Sequence, residues 1–80
     1  MKHLIEKFEN DLATLSDQAL VERFNREVGN RGWVSARACF LAALRNQFEY
    51  RAIDYALVKN ETGGINLATK VVLIGGKLSF

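Results

Sequence analysis

Arg37 is the residue of this 80-residue chain best placed to do chemistry. At about 100° per residue it falls between Leu44 and Phe48, inside the apolar face of a long helical stretch. An unpaired buried guanidinium is costly, so it requires a carboxylate, a set of backbone carbonyls or a path to solvent. Glu22, Glu27 and Asp54 are candidate partners, and such a bond would tie the long helix to its neighbours. The alternative is a planar donor fork offered to an anionic ligand or partner. Arg31 and Trp33 form a second candidate group at the entrance to the same helix. A Trp there plugs the end of a core; exposed beside Arg31, it would anchor an interface or stack on a base.

The remaining reactive residue types do not assemble into a site. Cys39 is the single cysteine and His3 the single histidine, so one chain cannot build a Cys/His metal centre. Cys39 sits among apolar neighbours in a helix interior, with no adjacent base to lower its pKa, and reads as core packing. His3 reads as a solvated side chain, and Tyr50 and Tyr55 as core-edge residues whose hydroxyls reach water. The pairs Gly63–Gly64 and Gly75–Gly76 lack the Gly-Lys-Ser/Thr order of a phosphate loop and read as turns. Carboxylates in the first 28 residues are scattered over solvent-like positions, and no acid/base pair is recognisable. The expectation is a non-enzymatic protein without metal or cofactor.

The elements that must position these residues follow from periodicity. Leu4, Ile5, Phe8 and Leu12 share one face of a first amphipathic helix, interrupted at Thr14–Ser16. Ser16 caps a second helix, Asp17 suits its positive end, and Leu15 with Leu20 has the spacing of a hydrophobic staple. Leu20, Val21, Phe24 and Val28 form its buried stripe, and Gly29 suits a left-handed cap. Asn30–Gly32 turns the chain into a third helix over Trp33–Ala52. One side of that helix carries Val34, Ala38, Leu41, Leu44 and Phe48; the other carries Ala36, Cys39, Phe40, Ala43 and Tyr50. Only Ser35, Asn46 and Glu49 make a polar sector, so the helix should be covered from more than one direction.

Beyond Ala52, residues 53–58 fit either a strand or a last helical turn capped by Asp54, the reading preferred being an irregular segment with one helical turn, and 59–64 read as a polar loop. Val71–Ile74 and Lys77–Phe80 flank Gly75–Gly76, a pair suited to the positive φ of a two-residue hairpin turn. That register gives Val71, Leu73, Leu78 and Phe80 a shared apolar face directed at the helices. Val72, Ile74, Lys77 and Ser79 make the outer face, and Ile65 and Leu67 add an extended segment alongside. The fold class is therefore α+β: one compact three-helix domain over residues 1–80, with a C-terminal two-stranded antiparallel β-hairpin packed on the long third helix.

Composition agrees with an ordinary globular domain, at 49% hydrophobic and 25% charged residues. The net charge of +2 is too weak to imply a polyanion by itself. Residues 1–28 balance at −2, 29–59 at +3 and 60–80 at +1, so the middle is mildly basic through Arg31, Arg37, Arg45, Arg51 and Lys59. The longest apolar run, Ala38–Leu44, is far short of the roughly 20 residues of a membrane span. Charges within MKHLIEKFENDL argue against a signal peptide, and a lone thiol fits a reducing, cytoplasmic setting.

From Leu15 onward the chain resembles a group of small bacterial proteins to which no activity is attached. They share a Gly-Trp entry into a helix bearing Ser-Arg-Ala and Leu-x-Ala-Leu, then an Asp-Tyr pair and a short hairpin. The matching residues are Gly32, Trp33, Ser35, Arg37, Ala38, Leu41, Ala43, Leu44, Asp54 and Tyr55. The resemblance implies a folded bacterial domain and carries no reaction with it.

Two functions remain in view. The first is a non-catalytic protein–protein interaction module or homodimer, because Val72 and Ile74 are apolar yet lie outside the core and a lone hairpin has open edges. The second is a DNA-binding helix-turn-helix with a hairpin wing, which the element order permits. Its third helix, however, offers a groove only Ser35, Asn46 and Glu49, with Arg31, Arg45 and Arg51 at the margins. A small-molecule site would need a pocket lined by Arg37, Tyr55 and a carboxylate.

Overall fold

The structure, a computed structural model, describes residues 2–29 and 36–80. Among these the chain forms α1 (Lys2–Ala13), α2 (Asp17–Glu27), α3 (Ala36–Tyr50), a 3-10 turn at Ala56–Val58, β1 (Val72–Ile74) and β2 (Lys77–Ser79). The order is the expected α+β one. The hairpin lies on the helical core: its Val71 and Leu78 share a single buried cluster with Leu44 and Phe48 of α3 and Leu20 and Phe24 of α2. The expected turn at Asn30–Gly32 and the first residues of the long helix, 33–35, lie outside the described residues.

Local chemistry explains where the helices begin and end. The Ser16 hydroxyl accepts from the Ala19 N–H at 3.1 Å, relieving one of the donors that a helix start leaves open. Leu15 and Leu20 both pack into the core, as the staple requires. Gly29, at φ +76°, takes the chain out of the helical direction, and its N–H donates to the Leu67 carbonyl at 3.4 Å. The end of α3 carries no glycine. Ala52 occupies the left-handed region at φ +56°. Its N–H donates to the Glu49 carbonyl (3.1 Å) and the Ile53 N–H donates to the Phe48 carbonyl (2.8 Å), the bond pair of a Schellman motif. Ile53 and Phe48 are both buried, which supplies the accompanying apolar contact.

The hairpin has the expected register: Val72 opposite Ser79, Leu73 opposite Leu78 and Ile74 opposite Lys77. Gly75 and Gly76 both have positive φ, as the tight turn demands. Residues 53–58 form the expected irregular segment, with the Asp54 carboxylate accepting from the Ala56 N–H at 3.0 Å. Asp54 also joins the sheet: its N–H donates to the Gly76 carbonyl and its carbonyl accepts from the Leu78 N–H, each at 2.9 Å. Ile65 and Leu67 are buried in the same core cluster, but their backbone pairs elsewhere than with the hairpin, Ile65 bridging to Lys59 and the Leu67 carbonyl accepting from Gly29.

Three burial expectations need correction. A helical wheel projects every turn onto one circle and discards position along the axis. Tyr50 falls in the same angular sector as Cys39 and Ala43 but is the last residue of α3, and it is 86% exposed. Phe80 lies beyond the last hairpin pair, Val72 with Ser79, and is 74% exposed instead of joining Leu78 in the core. Burial on α3 follows one stripe, Cys39, Phe40, Ala43, Leu44, Gln47 and Phe48, whereas Ala38 on the opposite side is exposed. The second face of α3 is thus covered only in part.

An alanine at positive φ stores strain that glycine would not. Replacing Ala52→Gly should raise the unfolding free energy by about 0.5–1 kcal/mol in urea melts, after allowing for the greater freedom of glycine in the unfolded chain.

Candidate functional site

Arg37 does not occupy the core. It is exposed, and among the described residues it has no ion-pair or hydrogen-bond partner. As the second residue of α3 it precedes Leu44 and Phe48 by seven and eleven residues, which puts it about 10 and 16 Å from them along the axis. Its suggested partners act elsewhere: Glu27 pairs with Arg23, Asp54 caps Ala56, and Glu22 is exposed. Arg31 and Trp33 lie outside the described residues.

The internal tie assigned to Arg37 is made by Arg51. Its Nε donates to Gln47 Oε1 (3.2 Å), Nη1 to Asp17 Oδ1 (3.0 Å) and Nη2 to the Leu12 carbonyl (3.1 Å). One guanidinium therefore joins the last turn of α1, the first turn of α2 and the end of α3. The Leu12 carbonyl, in the last turn of α1, also accepts from the Leu15 N–H at 3.0 Å, so Arg51 adds a second donor there, and a cation at that end suits the helix dipole. The side chain is 13% exposed, against 57% for Asp17, so the ion pair itself is partly screened while the bonds to Gln47 and Leu12 are not. A signal for this was in the chain: Gln47 and Arg51 continue the stripe of Phe40, Ala43 and Leu44 toward the end of the core.

Two further polar groups engage Arg23 and Arg45. Arg23 pairs with Glu27 one turn on, and its guanidinium lies 4.7 Å from the centre of the Phe40 ring. Glu27 is 7% exposed, a correction to the expectation that carboxylates of the first two helices are solvated. Arg45 Nε lies 3.7 Å from Glu49 Oε2, and the same Glu49 oxygen accepts from the Tyr55 hydroxyl at 2.6 Å. Tyr55 is buried and stacks on Phe48, with ring centres 5.7 Å apart. The bond to Glu49, together with burial and the Glu49 charge, raises the Tyr55 pKa above its ordinary value of 10.0. Cys39 is buried within the α3 stripe, and His3 is exposed.

Val72 and Ile74 emerge as expected on the outer face, 48% and 63% exposed. The two hairpin edges differ. Asp54 covers that of β2 through its bonds to Gly76 and Leu78. On β1, Asn25 of α2 clamps Val71, donating from Nδ2 to its carbonyl (2.7 Å) and accepting from its N–H at Oδ1 (2.8 Å). The next outward-facing backbone, that of Leu73, meets no strand among the described residues. Comparison with protein-family models, curated proteins and solved structures gives no match to this chain. Among the described residues no three His, Cys, Asp or Glu side chains converge on a metal position, and no helix is long and apolar enough to cross a membrane.

Two measurements probe these contacts. Arg51→Met should lower the unfolding free energy by about 1–2 kcal/mol, because Gln47 Oε1 loses its donor and the Leu12 carbonyl keeps only the Leu15 N–H; Asp17→Asn, at an exposed partner, should cost less than about 1 kcal/mol. Tyr55 holds its proton more tightly folded than unfolded, so its stabilising contribution is complete below pH 10.0 and disappears as pH rises through the higher folded-state pKa. Alkaline melts should show that slope in the parent chain and a flatter one in Tyr55→Phe.

Proposed function

We propose that this chain is a non-catalytic interaction module that pairs with a second copy through the outer face and open edge of its hairpin. The observation that carries this reading is the exposure of Val72 and Ile74 beside the backbone of Leu73, which meets no strand among the described residues. Two β1 strands laid antiparallel with Leu73 opposite Leu73 set Val72 of one copy across from Ile74 of the other. Apolar side chains then meet apolar side chains, and each Lys77 stays on an outer strand. A non-catalytic role is supported by the burial of Cys39 and by the engagement of Glu27, Asp54 and Arg51 in structural bonds. A DNA-binding role has less support, because Arg51 and Arg23 are held within the fold and Arg45 sits beside Glu49.

Sedimentation equilibrium from ~1 μM to ~1 mM should show a monomer–dimer equilibrium with a micromolar dissociation constant, as a small interface implies. Ile74→Lys should abolish the dimer while leaving the far-UV spectrum unchanged. A monomer throughout that range would overturn the proposal.

A further inference from the structure

The face of α3 opposite its buried stripe borders a pocket of about 260 Å3 between the helix and residues 60–65. Its floor is apolar, from Ala38, Leu41, Ala42 and Ile65, and its polar rim comes from Arg45 and the loop of Asn60 and Gly64. The volume exceeds that of a cavity of ~150 Å3 able to hold benzene. The rim has donors to offer and no spare side-chain acceptor. Asn60 Oδ1 accepts from the Thr62 N–H (3.1 Å), the Thr62 hydroxyl (2.8 Å) and the Gly64 N–H (2.9 Å). These three bonds fix the amide's orientation and leave Nδ2 as its remaining polar group. Nδ2 stands at the pocket wall, 3.2 Å from where a Cβ on Gly64 would lie. The loop carbonyls of Asn60 and Gly64 already accept from Gly63 and Asn60. Arg45 Nε is buried and has no hydrogen-bond acceptor among the described residues, its nearest carboxylate oxygen there being 3.7 Å away on Glu49; the side chain as a whole is 42% exposed, so the outer edge of the guanidinium is what the rim offers.

An apolar floor beneath a rim that offers donors selects a ligand with an apolar body and a group that only accepts. A carboxylate meets this condition and matches the fork of a guanidinium. We infer that the pocket between α3 and the Asn60–Gly64 loop binds a small carboxylic acid with a compact branched or aromatic body, its carboxylate held by Arg45 and Asn60. The inference does not depend on hairpin pairing.

Amide chemical shifts of the full chain, titrated with benzoate, isovalerate and the neutral counterpart benzyl alcohol, test it directly. Saturable shifts confined to Ala38, Leu41, Ala42, Gly64 and Ile65 are expected, with the acids binding at least about tenfold more tightly than the alcohol. Arg45→Met should erase that preference. Asn60→Asp keeps an acceptor for the Thr62 and Gly64 donors but sets a negative charge at the wall, and should abolish acid binding in a chain that still folds. Absence of saturable shifts at tens of millimolar acid, equal binding of acid and alcohol, or an acid preference that survives either substitution in a folded chain would each overturn the assignment.

Discussion

The guanidinium of Arg51 is the constraint on which the arrangement of the three helices depends. Apolar burial is strong but without direction, and a core of Phe24, Phe40, Phe48 and their aliphatic neighbours permits more than one packing angle. A planar group with donors fixed in a fork does not. By accepting from Arg51, Leu12, Asp17 and Gln47 bring three helix ends to one point. The corner between α1 and α2 is short, only residues 14–16, so holding its two sides against the end of α3 fixes how all three lie.

The same economy recurs in the β layer. Strands of three residues make too few ladder bonds to stand alone in water. Side chains and single residues supply the remainder: the Asn25 amide imitates a neighbouring peptide against Val71, and Asp54 contributes one strand-like residue beside β2. Asn60 does likewise for its loop, replacing a backbone acceptor for Thr62 and Gly64. Each of these ties joins the hairpin or its approach to a helix or a turn, so a sheet of two strands is embedded rather than merely resting on the core.

Local signals in the chain were legible because their physics is local. The Ser16 cap, the Leu15–Leu20 staple, the Gly75–Gly76 turn and the hairpin register each depend on residues within a few positions of one another. The end of α3 was harder, because an alanine takes the left-handed conformation usually signalled by glycine, and nothing in its side chain advertises that. The polar ties were harder still. Whether Arg37 or Arg51 is the arginine that ties the helices depends on position along the helix axis relative to the core, which angular periodicity does not contain. The Asn25–Val71 clamp spans residues far apart in sequence, and an Asn in a helix carries no sign of the strand it serves. The two apolar sides of α3 were visible; that one of them would be closed only partly, by a loop, was not.

The bridge between Asp54 and β2 bears on how far the molecule could assemble. Edge-to-edge growth into fibres requires a free template at both borders of every sheet. Here a single aspartate, three bonds deep in its own fold, occupies one border. Any strand addition must then begin and finish at the other, so the geometry closes after one partner and leaves nothing from which polymerisation could continue.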